Sequence, residues 1–249
     1  MRSPRHARWW PLLGAAMLAM NLVVAVAHPG QAASPSPVRI SVVGIPDDAP
    51  SGRWDPGVRR WIFSPAGGRV LAEWQGWRAE ADRLEWDPEE ETVHLSGSVR
   101  MTGPELRARA DQVRIWYAQR RLVLTGAARL EQLPQQAATD GAPLRVVTAP
   151  TIEVDDAGGI LTAEGGVELT QAEPSLWAAA ETLRYDRQAG HIVMASPQST
   201  VQARLDDFRL ARASRVEYRV DNDELTLYGP AEIQQVQEAS PSPSETGTP

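Results

Sequence analysis

A single hydrophobic ruler is laid down five times along this chain, and it limits the possible folds more than any other feature. With Ala81 as zero, Leu84 stands three residues on, Trp86 five, Val93 twelve, Leu95 fourteen and Gly97 sixteen. From Ala110 the same offsets read Val113, Ile115, Leu122, Leu124 and Gly126, and from Ala149 they read Ile152, Val154, Leu161, Ala163 and Gly165. From Ala180 they read Leu183, Tyr185, Ile192, Met194 and Ser196, with serine in place of glycine; from Ala213, Val216, Tyr218, Leu225, Leu227 and Gly229. Two residues before zero the position is always small and apolar: Ala79, Ala108, Val147, Ala178 and Ala211. The starts lie 29, 39, 31 and 33 residues apart, so length varies between copies and never within one. Self-similarity of this kind marks a chain built from one repeated supersecondary unit.

The unit reads as a β-hairpin. Its second half alternates with period two: Val93, Leu95, Gly97, Val99 and Met101 share one face, and His94, Ser96, Ser98 and Arg100 share the other. The third copy repeats this with Leu161, Ala163, Gly165, Val167 and Leu169. In the first half, Trp77, Ala79 and Ala81 fall on one parity, while Leu84 and Trp86 fall on the other. A strand cannot switch faces without an extra residue, so the pattern predicts a bulge or kink just after the alanine at zero. Turn residues separate the halves: Asp87-Pro88, Asp155-Asp156 with Gly158-Gly159, Asp186 with Gly190, and Asp221-Asn222-Asp223. The glycine sixteen residues on either marks a bend in the sheet or leaves room for a ligand against the backbone. Ahead of the repeats, residues 38–43, 61–64 and 70–77 read as short strands of a degenerate cap, with Pro65-Ala66-Gly67-Gly68 as the turn between the last two.

Both ends fall outside this pattern. Residues 1–27 carry a basic start (Arg2, Arg5, Arg8), an apolar stretch from Trp9 to Val24 and a small-x-small close at Ala25-Val26-Ala27. That is the layout of a cleaved export signal, with an uncleaved N-terminal anchor as the alternative. Residues 28–37 form a linker, residues 38–237 the β domain, and residues 238–249 a Pro/Ser tail with no apolar pattern. Within the domain the units fall near residues 77–103, 104–132, 144–173, 174–204 and 205–237, and residues 134–143 read as a loop between the second and third. The chain has no cysteine, so thiol catalysis and thiolate metal sites are excluded. Without the three arginines of the export segment, 22 basic residues face 32 acidic ones, a balance of −10 that argues against a nucleic-acid partner. Every basic residue is arginine, which fits either a codon bias or forks for phosphate groups.

No catalytic or metal constellation stands out, and no cofactor is expected. His94 lies on the polar face of its strand, His191 reads as a turn residue, and both look solvated. The carboxylates from Asp87 to Glu91, with Glu89 and Glu90, and the pair Asp206-Asp207 occupy predicted turns. Solvated charge explains them more simply than a calcium site or the paired acids of a carbohydrate-cleaving sandwich. Trp54, Trp61, Trp74 and Trp77 form either the core of the cap or a sugar-stacking or membrane-interface patch.

A lone hairpin cannot bury one face, so five must stack. The expected fold is all-β: a two-sheet roll of tandem hairpins closing over an apolar interior. Five to seven strands per sheet would span roughly 25–35 Å, the scale of an acyl chain. Stretches such as Ala81-Asp82 with Trp86-Asp87, Ala110-Asp111, and Ala180-Glu181 with Tyr185-Asp186 resemble the OstA-like repeat of lipopolysaccharide-transport proteins: LptA, LptC and the N-terminal domain of LptD. The resemblance covers roughly residues 77–237. Ser196-Pro197 in the fourth copy, Ser214 in the fifth and the acidic balance depart from it.

The resemblance implies a periplasmic β-jellyroll that holds the acyl chains of a glycolipid and joins other OstA-like jellyrolls, or copies of itself head to tail, through edge strands. The lipid-lining residues expected on that basis are Leu84, Trp86, Val93, Leu95, Val99 and Met101 in the first copy, and Ile115, Leu122 and Leu124 in the second. They continue with Val154, Leu161 and Leu169, then Tyr185, Ile192 and Met194, and finally Tyr218, Leu225 and Leu227. The alternative is a structural module with a filled core that acts through its edges.

Overall fold

The computed structural model describes residues 38–43, 51–74, 76–133, 144–205 and 209–235. The expected export segment and linker, the 134–143 loop, Asp206-Asp207 and the C-terminal tail lie outside them. Every regular element among the described residues is a strand. Six short strands come first: β1 (Val38–Val43), β2 (Arg53–Asp55), β3 (Arg60–Phe63), β4 (Arg69–Trp74), β5 (Trp77–Ala81) and β6 (Arg83–Asp87). Six long ones follow: β7 (Thr92–Thr102), β8 (Leu106–Trp116), β9 (Arg121–Gln132), β10 (Arg145–Asp155), β11 (Ile160–Gln171) and β12 (Leu176–Asp186). The array ends with β13 (His191–Ala195), β14 (Val201–Leu205), β15 (Arg209–Ala213), β16 (Arg215–Arg219), β17 (Glu224–Tyr228) and β18 (Glu232–Gln235).

The ruler is a register. Its fifth and twelfth positions are cross-strand partners in each copy: Trp86 with Val93, Ile115 with Leu122, Val154 with Leu161, Tyr185 with Ile192, and Tyr218 with Leu225. The third and fourteenth pair likewise, from Leu84 with Leu95 to Val216 with Leu227. Apolar partners at fixed offsets keep one face of each hairpin continuous with the next, and a slip of one residue would turn that face to water.

The face switch falls where the parity required it. The register between β7 and β8 shifts between Ser96 and Val99, and between β8 and β9 it shifts between Arg109 and Gln112. Further shifts lie at Ala149/Thr151 and Glu164/Val167. In the first and fifth copies the chain breaks outright, into β5 and β6 around Asp82 and into β15 and β16 around Ser214. Each long strand therefore belongs to two layers. One layer, called A, runs β2-β3-β6-β7-β8-β9-β10-β11-β12-β13-β16-β17. The other, B, runs β1-β4-β5-β7-β8-β9-β10-β11-β12-β14-β15-β18. Because the long strands are shared, the whole is hydrogen-bonded as one 18-stranded antiparallel sheet folded along its kinks.

Three sequence expectations are corrected. Each layer holds more strands than the five to seven foreseen, since each long strand serves both. At ~4.8 Å per strand the roll is on the order of 50 Å long. Residues 70–77 are not one strand: Trp74 and Trp77 close a tight β4–β5 turn, with Gly76 at φ +84° and the two indoles stacked 6.3 Å apart. His191 is the first residue of β13 rather than a turn residue, and its Nε2 lies 3.3 Å from Glu217.

Candidate functional site

The kinks are built from small residues for a local reason. Gly97, Gly126, Gly165 and Gly229 have φ between +72° and +92°, a region L side chains rarely occupy. A Cβ on Gly97 would stand 2.8 Å from the Asp82 Cβ, and one on Gly126 would stand 2.9 Å from the Asp111 Cβ. Pro150 and Ser214 take the same place against Gly165 and Gly229. The residue after the alanine at zero thus packs over the glycine of its own hairpin. This favours the bend over a ligand-clearance role for that glycine. In the fourth copy Ser196 replaces glycine and its Oγ accepts the Glu181 amide at 3.0 Å, so a side-chain hydrogen bond takes the place of the glycine packing there.

The interior lies between the layers. Of the residues expected to line it, sixteen, from Leu84 to Tyr218, are buried in one continuous apolar cluster. Leu225 and Leu227 are only half-buried, because β17 is the last strand of its layer; they pack against the edge of the cluster. A void of about 20 Å³ is walled by Leu106, Leu130 and Leu169 of layer B and by Val154, Leu161 and Ile192 of layer A, so the two layers face each other across it. A second void of about 10 Å³ lies between Leu169, Met194 and Leu225.

Opposite the kinks no described strand joins the two layers. There the turns of the two layers confront each other across a groove of about 510 Å³. Layer A contributes Arg120, Asp156, Gly159, Arg187 and Gln188; layer B contributes Trp77, Pro104, Glu105 and Gln132. Among the described residues, two polar links cross this seam. Gln171 on layer B donates through Nε2 to the Tyr218 hydroxyl on layer A at 3.1 Å, and that hydroxyl donates to Asp223 at 2.7 Å. Arg145 on layer B sits 5.8 Å from the Tyr185 ring centre on layer A while bonding Gln171 at 2.6 Å and Gln132 at 3.1 Å. Burial and the hydrogen bond to Asp223 push the Tyr218 hydroxyl up to about 12.

Along the layer A rim, Asp156 ties two neighbouring turns to its own. It accepts from Arg120 at 2.5 Å and from Arg187 at 2.8 Å. Burial opposes its charge, but the two guanidinium hydrogen bonds and their charges outweigh burial and hold its carboxyl below the usual value. The Arg187 Nε is buried without a partner at the same rim. Tyr185 and Tyr218 stand on the ruler, but the arginines, glutamines and Asp156 of the seam carry no periodic signal in sequence. Only the acidic turn residues hinted at them.

The site is therefore an apolar interior, hinged along one side by continuous strands and rimmed along the other by arginine, glutamine and tyrosine. Residues 146–242 match the family model described as LptA/(LptD N-terminal domain) LPS transport protein. Over these residues the chain is similar to the LptA/LptD N-terminal family. The LptA-like segment begins in β10 and takes in the ruler copies at Ala149, Ala180 and Ala213; those at Ala81 and Ala110 precede it with the same spacing. Among solved structures, the chain resembles the crystal structure of LptH, the LptA homologous periplasmic component of the conserved lipopolysaccharide transport device from Pseudomonas aeruginosa. The identity is 15% and the TM-score 0.42, covering 53% of this chain and 94% of that one. Among curated proteins no match is found.

Proposed function

We propose that this LptA-like chain is a non-enzymatic, exported component of lipopolysaccharide transport that carries the acyl chains of a glycolipid between its two layers. The observation that carries this reading is the seam: an apolar interior bordered along one side by a rim of charged and hydrogen-bonding groups. An amphipathic ligand needs both, with methylenes inside contributing about 0.8 kcal/mol each on burial and a phosphorylated or sugar head at a polar rim. Arg187, with its unpartnered Nε, and Arg145 are the groups best placed to meet that head. Leu84, Trp86, Val93, Leu95 and the other interior ruler residues would meet the chains. The voids of about 20 and 10 Å³ are far smaller than an acyl chain, so loading requires the layers to part at the seam. The end strands would extend the array: Val43 and Trp54 are exposed near one end and Tyr228 and Ile233 near the other. Unpaired strand edges with apolar side chains template further strands.

Mass spectrometry of protein purified from its native envelope tests this directly. Co-purifying glycolipid or acyl chains, displaced when Leu161 or Ile192 is replaced by a charged residue, are the expected result. The small voids favour one other reading, a structural module with a filled core acting through its edges. Repeatedly lipid-free protein that forms concentration-dependent oligomers would establish that reading instead.

A further inference from the structure

The outer face of layer B carries an arginine ladder that the interior and the seam do not use. Arg100 on β7 lies directly opposite Arg109 on β8, and Arg109 lies directly opposite Arg129 on β9. All three are exposed, and Arg107 stands on the same face of β8, two residues from Arg109. Like charges placed directly opposite on neighbouring strands destabilise a sheet, yet two such pairs stand side by side here. Arg129 has a carboxylate within reach, Glu131 at 2.8 Å; Arg100 stands opposite Glu80 of β5 and Arg107 opposite Glu131, yet the side chains of Arg100, Arg107 and Arg109 make no hydrogen bond or ion pair. The chain as a whole is acidic, with a net charge of −7, so the ladder is a local reversal of sign.

We infer that this face docks on an anionic phospholipid bilayer, the arginine forks meeting headgroup phosphates. The surface is an open sheet face with arginines on neighbouring strands at the spacing of ~4.8 Å. It also lacks what a packed protein interface needs, a buried aromatic or apolar anchor. The exposed large apolar residues Val43, Trp54, Val58, Leu144, Tyr228 and Ile233 are not on the ladder. Trp177, half-exposed on the same layer with its indole N–H on Glu168 at 2.7 Å, is of the type that settles at a membrane interface. The interaction is electrostatic and therefore shallow, reversible and sensitive to salt.

Co-sedimentation of the purified protein with vesicles tests it. The protein should sediment with phosphatidylcholine vesicles containing phosphatidylglycerol, release at high salt, and ignore vesicles of phosphatidylcholine alone. The double variant Arg100→Gln with Arg109→Gln should bind roughly 25-fold more weakly, about fivefold per arginine. Arg184→Gln, an exposed arginine on the outer face of layer A, should bind as the parent does. The double variant should also melt no lower than the parent, since it relieves like-charge pairs, so weak binding cannot be ascribed to misfolding. Equal binding to neutral vesicles, no binding to anionic ones, or equal loss in Arg184→Gln overturns the inference. Equally tight, equally arginine-dependent binding to duplex DNA also overturns it, in favour of unselective polyanion capture.

Discussion

A Cβ on Gly126 would overlap the side chain of Asp111, and the φ of +72° at this glycine is already costly for any L residue. Gly166, by contrast, has a φ of +96° with nothing within 4 Å of an added Cβ. Gly166→Ala is expected to lose only the left-handed penalty of about 1–2 kcal/mol. Gly126→Ala should lose clearly more in urea unfolding, because crowding against Asp111 adds to the same penalty. Adding Asp111→Gly should return Gly126→Ala toward the Gly166→Ala value; three equal losses would refute the packing account. The alanine, glycine and kink were legible because their spacing repeats. The contact between the residue after the alanine and the glycine was not, since a one-dimensional pattern does not say which side chain lies over which backbone.

The hairpin turns work as elements through their acids. Asp87 accepts the amides of Glu89 and Glu90 at 3.0 and 2.9 Å, and Asp186 accepts those of Gln188 and Ala189 at the same distances. The aspartate after the aromatic therefore closes its own turn. Asp156 does something different by binding adjacent turns together. Because its folded pKa lies below the ordinary 3.8, its stabilising contribution is complete above that value and is lost as pH falls through the folded pKa. Melting temperature should therefore be level near neutral pH and fall as the solution is acidified below about pH 4. Asp156→Asn should start lower and fall less over the same range, read by circular dichroism. An unchanged acid slope would mean that the rim is not held by this carboxylate. Asp87, opposed by burial but hydrogen-bonded by two amides and Arg60, adds to the slope that remains in the variant.

For the whole molecule, the link across the seam is the structural feature most exposed to test. Tyr218 is almost fully buried, with its hydroxyl bonded to Gln171 of the opposite layer. Its pKa is raised from 10.0 to about 12, so its contribution is complete below pH 10 and is lost as pH rises toward 12. Tyr218→Phe should cost roughly 1–2 kcal/mol at neutral pH and should flatten the decline of stability between pH 10 and 12. If the seam parts for lipid, the same variant should also take up a fluorescent acyl probe faster than the parent. Equal uptake would argue that the layers part elsewhere.

The all-β class, the hairpin register, the kink after each alanine and the apolar identity of the interior were all set by the sequence, because period-two alternation and fixed offsets act within a few residues. Leu84, Val93, Ile115 and Ile192 could be placed inside from spacing alone. The tertiary structure decided that each long strand serves two layers and that, among the described residues, Arg145, Gln171, Tyr185 and Tyr218 link these layers on the side opposite the kinks. Those partners lie 26 to 47 residues apart for the Gln171 bonds to Arg145 and Tyr218. They meet through the angle between layers, a quantity fixed by how the whole array twists and packs rather than by any local pattern.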